Sequence, residues 1–433
     1  MRVQSAMSLL QTLLGIPILL LIAFALSAHR RAVRPRIVVA GLLLQFIIAF
    51  ACLRFEPVVI VFTALARGVT RIISFADEGT RFLFGNLADA GGPWGFIFAV
   101  RVLPVIIFVA ALMSVLYHLR IMQRLISLVA TGLRRTLGVT GVEAISSAAN
   151  IFVGQTEAPL MVKPYIAGMT RSQLMAIMTG GFATIAGSVL FAYIGLLGGQ
   201  DEEARVLFAK HLMTASFMSA PAGFVMAKIM LPEVESPADE SFASLLVDNR
   251  TSRNVVDAAA AGASDGLRLA ANVAAMLVAF VALLALINWP LAAFSEWQPV
   301  AQWRQAHGLS TFTLQNLLGL LFRPIAWCLG ISGPDAPLFA SLLGQQIIAT
   351  EFIAYLELSK HTANGTMSPR ACQIATYALC GFANIPSIAI QIGGLSALAP
   401  SRRGDLASIA PRAMVAGALA CWMTAAVAGV FIA

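Results

Sequence analysis

Long uncharged apolar stretches set the terms for this chain. Charged residues are 12% of its 433 positions and apolar ones 59%, with a mean hydropathy of +0.83. Ordinary soluble domains carry about 25% charged residues. Half that share, spread over the whole length, makes lipid the main solvent. A helix needs about 20 residues to cross a hydrocarbon core. The clearest candidates are residues 6–28, 174–197, 269–291, 371–399 and 413–433. Shorter or interrupted ones are 37–53, 94–117 (with Arg101 inside) and 212–227, giving about eight spans. The first stretch has no convincing small-residue cleavage site and reads as a retained span. Trp94 and Trp289 lie at span ends, as aromatic anchors do.

The charge pattern orients the spans. The net charge is +8, and much of it lies in short loops: Arg30, Arg31, Arg34 and Arg36, then Arg402 and Arg403. Such loops stay cytoplasmic, so the charge is not a nucleic-acid signal. Both termini are then expected on the outer face of a multi-pass protein of the cytoplasmic (inner) membrane. The acidic run Asp201-Glu202-Glu203 falls on the opposite side. Residues 56–84 alternate apolar positions with Arg67, Arg71, Asp77, Glu78 and Arg81, as an amphipathic helix at the interface would. That helix puts arginines on the outer side, against the positive-inside count. Arg120, Arg124, Arg134 and Arg135 mark the cytoplasmic side again. The five cysteines (Cys52, Cys328, Cys372, Cys380, Cys421) have no metal-site or disulfide-framework spacing, and the five histidines do not cluster.

Two strings nearly repeat. Gly181-Phe182-Ala183-Thr184-Ile185 reads GFATI, and Gly381-Phe382-Ala383-Asn384-Ile385 reads GFANI. Each follows a Thr-Glu pair in apolar surroundings, Thr156-Glu157 and Thr350-Glu351. A glutamate at membrane depth is costly and marks a functional site by default. Around the first pair the chain is too short and too proline-marked (Pro159, Pro164) for a crossing and return, and the second repeats the pattern. A re-entrant hairpin fits residues 140–171 and again 334–368. By alternation the first enters from inside and the second from outside. The copies are then inverted repeats, whose broken helices meet at mid-membrane around a substrate. Residues 231–267 read as a cytoplasmic loop with Pro232, Pro237 and a mixed-charge run, and 311–329 as an interfacial or partly buried helix. The expected fold is therefore an all-α integral membrane protein.

The hairpin string Asn150-Ile151-Phe152-Val153-Gly154-Gln155-Thr156-Glu157-Ala158-Pro159 carries a resemblance, as does Thr350-Glu351-Phe352-Ile353-Ala354-Tyr355. So do the segments around the two repeated strings and Asp265-Gly266-Leu267 with Leu269-Ala270-Ala271-Asn272-Val273-Ala274-Ala275-Met276-Leu277. Together, from about Trp94 to the C-terminal end, they resemble the concentrative nucleoside transporter family. The resemblance implies a homotrimer in the bilayer that imports nucleosides with sodium. A transport domain in each subunit would move against a scaffold. Residues 1–139 and 231–332 would be mainly scaffold, and 140–230 and 333–433 transport elements.

By the same resemblance, Gln155, Thr156 and Glu157 read the nucleobase and Val189 packs on it. Glu351, Asn384 and Ser387 hold the ribose, with Phe382 lining the pocket. Sodium falls on the side chains of Asn150 and Thr184 and the carbonyls of Val153 and Ile185. Pro386, where a small residue is expected, puts the orientation of Ser387 in question. Gly154 leaves room for uridine, cytidine and adenosine alike.

Plainer readings stand beside these. The two glutamates could be structural acids, the glycines could serve helix packing, and Asn150 and Thr184 could cap or back-bond. Phe382 could be core, and Lys163 an interfacial anchor. Arg101 receives no role. A proton-coupled transporter using Glu157 or Glu351 is the alternative mechanism. A passive channel would not accumulate solute. An enzyme finds no support, since there is no phosphate-binding loop, metal cluster or nucleophile–base pair. No cofactor is expected beyond the coupling ion.

Overall fold

The computed structural model describes residues 2–89, 93–94, 97–199, 201–237, 252–306 and 311–432, and every described element is helical. The chain opens with α1 (Arg2–Ala25), α2 (Pro35–Leu53) and α3 (Glu56–Phe84), followed by α4 (Phe98–Arg101) and α5 (Leu103–His118). Next come α6 (Ile121–Leu137), α7 (Gly141–Asn150), α8 (Arg171–Ala183), α9 (Gly187–Gly198) and α10 (Glu202–Met230). The centre holds α11 (Val255–Glu296), α12 (Gln298–Ala306), α13 (Leu314–Leu321) and α14 (Arg323–Cys328). The last part comprises α15 (Asp335–Ile348), α16 (Glu351–Asn364), α17 (Pro369–Ala378), α18 (Ile385–Leu398) and α19 (Arg403–Phe431).

Eight helical segments among the described residues are long and apolar enough to cross a membrane. They are not the same eight that the sequence suggests. The stretch 371–399 is not one helix. It breaks between α17 and α18, because Asn384 caps a new helix with its side chain on the Ser387 N–H and Pro386 follows in the first turn. The stretch 174–197 likewise breaks at 184–186, between α8 and α9. In the place of 371–399 among the eight stands Glu56–Ala88, while Arg171–Gly198 still counts as one span across its break. This segment is amphipathic as expected, with Ala66, Thr70, Ile73, Ala76 and Thr80 buried along one stripe of α3. It is also long enough to span.

Three boundaries shift. The proposed loop 231–267 ends at Val255, where Asn254 accepts from the Asp257 N–H and starts a 42-residue helix. Its mixed-charge run falls largely in 238–251, outside the described residues. The 212–227 stretch extends back to Glu202, because Asp201 caps α10, so the acidic run starts a helix. The expected single helix over 311–329 is two short ones, α13 and α14.

Both hairpins take shape, with different arms. In the second, α15 and α16 meet at Ala349 and Thr350, and the Thr350 hydroxyl caps α16 by accepting from the Ile353 N–H. In the first, α7 is followed by turns and then a 3₁₀ arm, Ala158–Gly168, which holds Pro159 and Pro164. Capping boxes at Thr140 with Glu143 and at Thr170 with Gln173 start α7 and α8. Below them Lys228 of α10 is 2.5 Å from Glu143 and donates to the Ser172 hydroxyl at 3.0 Å. This buried ion pair ties the first hairpin to α8 and α10.

Packing sorts the elements. α1 lies on α19, and α2 on α10 and α19. α5 and α11 pack along each other, with Gly262 and Gly266 of α11 seated on Ala110, Ala111 and Ile107 of α5. The rest of α11 is mostly exposed.

Candidate functional site

The two helix breaks and the two hairpin tips converge. The Gly187 N–H donates to the Phe152 carbonyl at 3.2 Å, pinning the first hairpin tip to the α8–α9 break. The Phe382 N–H donates to the Thr184 carbonyl at 3.3 Å, joining that break to the one between α17 and α18. Unwound backbone at membrane depth is stable only where protein or a water-filled cavity surrounds it. Here it borders a cavity of about 370 Å³. That volume suits a small ligand.

Gln155, Thr156, Glu157, Val189, Glu351, Phe382, Asn384 and Ser387 all line this cavity. Sequence positions up to 232 residues apart are thus brought to one surface. Glu351, at the first position of α16, is 4% exposed. Its carboxylate accepts from the Tyr193 hydroxyl at 3.0 Å and from the Asn384 amide at 2.8 Å. Its position at a helix N-terminus favours negative charge. Its two side-chain partners stand on other elements.

Glu157 differs. It is exposed, and one oxygen accepts from the Gly154 N–H. Two glutamates that look equivalent in the sequence therefore divide into a buried, anchored one and an open one.

Pro386 does not displace Ser387. It occupies a position in the first turn where a missing N–H is harmless. The Ser387 N–H is held by Asn384 at 2.8 Å, and its hydroxyl accepts from Gln155 at 3.5 Å. Phe382 is half-buried, lining the cavity and packing on the core at once.

Beside the cavity, Asn150 ends α7 at 1% exposure, and neither side-chain polar atom has a hydrogen-bond partner among the described residues. Such a group is costly unless something fills its bonding capacity. The Asn150 amide faces Gly180, whose Cβ would lie 3.4 Å from it. The Thr184 hydroxyl donates to the Gly180 carbonyl at 2.8 Å, the back-bond of the plainer reading. That bond uses its proton and leaves its oxygen lone pairs. Val153 and Ile185 flank the same junction and are buried. Oxygen donors beside an orphaned amide fit a hard cation.

Several participants carry no signal in the sequence. Tyr193 stacks on Tyr355 with ring centroids 4.2 Å apart and looks like a core aromatic, yet it holds Glu351. Gln391 bonds Gln155. α11 forms the opposite wall with Leu269, Asn272, Val273, Met276 and Leu277. Asn272 sits in a string already singled out and brings an amide to the cavity. Lys163 is exposed, away from these residues. Arg101 donates to the Ala88 carbonyl and borders a small cleft with Asp77 and Arg205.

Family models add independent weight. Residues 211–429 match the "Na+ dependent nucleoside transporter C-terminus", 14–87 the corresponding N-terminus, and 99–200 a "nucleoside recognition" gate. The chain belongs to the concentrative nucleoside transporter family. This is a family of transporters, not enzymes. An uncharacterized transporter of Haemophilus influenzae is 43% identical over 98% of this chain and 98% of its own length. Sodium/nucleoside cotransporter 1 of Mus musculus is 39% identical over 96% of this chain and 63% of its own length. In structure, the chain is similar to CNTnw in an inward-facing substrate-bound state, with TM-score 0.89 and 40% identity over 98% of each chain. The outcome for the fold is plain: this transporter is an all-helical, multi-pass membrane protein.

Proposed function

We propose that this transporter imports nucleosides across the cytoplasmic membrane as a sodium-coupled symporter. The observation that carries the reading is the cavity of about 370 Å³, to which both hairpins and the α17–α18 break bring polar groups while the α8–α9 break adds the apolar Ala186 and Val189. In this reading Gln155, Thr156 and Glu157 face the base, with Val189 against it. Glu351, Asn384 and Ser387 face the ribose, beside Phe382. Sodium sits on Asn150, Thr184 and the carbonyls of Val153 and Ile185. One positive charge moving inward down 100 mV supplies about 2.3 kcal/mol, enough to concentrate a neutral solute roughly fifty-fold.

The chain works as a homotrimer with both termini outside, and its transport domain slides against a fixed scaffold. The packing supports a scaffold built around α5 and α11. α1 and α2, which lie on α19 and α10, then travel with the hairpins. This moves the division from the one at residue 139 suggested by the sequence. A second reading, proton coupling, draws on Glu351, a buried carboxylate whose two bonded partners are neutral.

Uptake of radiolabelled uridine and adenosine into proteoliposomes tests the proposal. Accumulation above equilibrium is expected with an inward sodium gradient and not without it. Uptake that ignores sodium and follows pH establishes the proton reading instead. No uptake of either nucleoside overturns both.

A further inference from the structure

Gln391 lies behind the cavity wall, at 1% exposure on α18. Its Nε2 makes two bonds, one to the Met178 carbonyl at 3.1 Å and one to Gln155 Oε1 at 2.9 Å. An amide offers two donors on nitrogen and two acceptor sites on oxygen. Rotating Gln391 by half a turn would set its oxygen against the Met178 carbonyl, so that carbonyl fixes which way Gln391 points. Gln391 in turn fixes Gln155. Flipping Gln155 alone would bring two NH₂ groups together. The chain of constraint runs from a backbone carbonyl that cannot reverse, through one amide, to a second.

From this we infer that Gln391 is a positioning residue that makes Gln155 a donor toward the cavity, so that nucleobases presenting a carbonyl there are preferred over those presenting an amine. The inference rests on the placement of Gln155 at the base, proposed above.

One lone pair of Gln155 Oε1 is taken by Gln391 behind the wall, and the Gln155 NH₂ points toward Ser387 of the cavity wall. One N–H reaches the Ser387 hydroxyl at 3.5 Å, at the limit of a hydrogen bond. The other has no protein partner among the described residues and is open to a ligand. Gly181 of the GFATI string makes the arrangement possible. A Cβ there would lie 2.7 Å from Gln391 Nε2 and 3.0 Å from the Gln155 Cβ. Uracil and hypoxanthine carry a carbonyl where cytosine and adenine carry an amine. An exocyclic amine facing the Gln155 NH₂ leaves donor against donor, and a mismatch of this kind costs about fivefold or more in affinity.

The test is uptake into proteoliposomes of uridine against cytidine and of inosine against adenosine. It uses the full chain and the variants Gln391→Met, Gln155→Ala and their combination. The wild type is expected to half-saturate with the carbonyl member of each pair at about fivefold lower concentration or less. Gln391→Met should bring each ratio close to one, whatever it does to the maximal rate. A merely structural role would move the rate and leave the ratio. In the Gln155→Ala background Gln391→Met should change the ratio no further.

If Gln155→Ala shifts base preference and Gln391→Met does not, the inference is overturned while the site stands. If Gln155→Ala leaves base preference untouched, the placement of Gln155 fails and the inference fails with it. A wild type that prefers the amine-bearing members also overturns it. Should Gln391→Met carry no nucleoside at all, thermal shifts of detergent-solubilised Gln391→Asn, whose amide stops a methylene short, read the same ratio. Loss of the ratio supports the inference, and a wild-type ratio overturns it.

Discussion

Glu351 offers only acceptors, and both of its side-chain neighbours donate to it. Tyr193 and Asn384 each give one hydrogen bond. Glu351→Gln can keep its oxygen on the Asn384 NH₂ but turns its own NH₂ to Tyr193, whose hydroxyl must then accept, and both bonds lose the charge that strengthened them, a loss of about 1–3 kcal/mol before any ligand is lost. The ribose is common to all nucleosides, so uridine and adenosine uptake should fall together to background. Normal uptake of either by the variant would remove Glu351 from the site. The sequence made Glu351 and Asn384 legible because each sits in a short string whose residue types are unusual for an apolar span. Tyr193 lies 158 positions from its partner and has the look of a packed aromatic, so nothing local marked it. Glu157 and Glu351 also looked alike, since burial is decided by neighbours that the chain brings from elsewhere.

At the scale of elements, the breaks in the helices were the hardest feature to read. Hydropathy runs through 184–186 and 379–384 without interruption, because the residues there are mostly small or apolar. One signal was present: Asn384, then Pro386 two positions on, is a helix start. The first break has no such mark and is held by partners from the hairpin tip. The repeated glycines were legible as packing residues, and Gly381 shows why. A Cβ there would meet Cys421 Sγ at 2.5 Å and the Phe182 carbonyl at 2.6 Å. Backbone cannot retreat as a flexible side chain can. Gly381→Ala should cost about 1–3 kcal/mol, seen as a lower melting temperature in detergent. Gly393, in the same broken helix, has nothing within 4 Å of its missing Cβ. Gly393→Ala should leave stability unchanged or slightly raised by helix propensity. Equal melting temperatures for the two variants would show that the close approach around Gly381 does not matter.

For the whole molecule, the proposed division between fixed and moving parts is argued from which surfaces are welded and which only touch. α5 and α11 mesh through close glycine contacts, whereas α11 meets α16 through the small cluster of Leu284, Ala349 and Ile353. α11 nevertheless supplies one wall of the cavity. If that wall stays still while the hairpins slide, the cluster must come apart in every cycle. A cysteine pair at Leu284 and Ile353, joined by a short bifunctional thiol reagent, should then stop uridine uptake, and cleavage of the linker should restore it. The five native cysteines are all buried, which keeps background labelling low. A control pair joining α5 to α11 should leave uptake running, since those helices keep their contacts throughout. If the 284–353 link leaves uptake intact, the second hairpin works without leaving α11, and a sliding transport domain is the wrong description. A gate opening at the hairpin tips alone would then have to account for access from both sides.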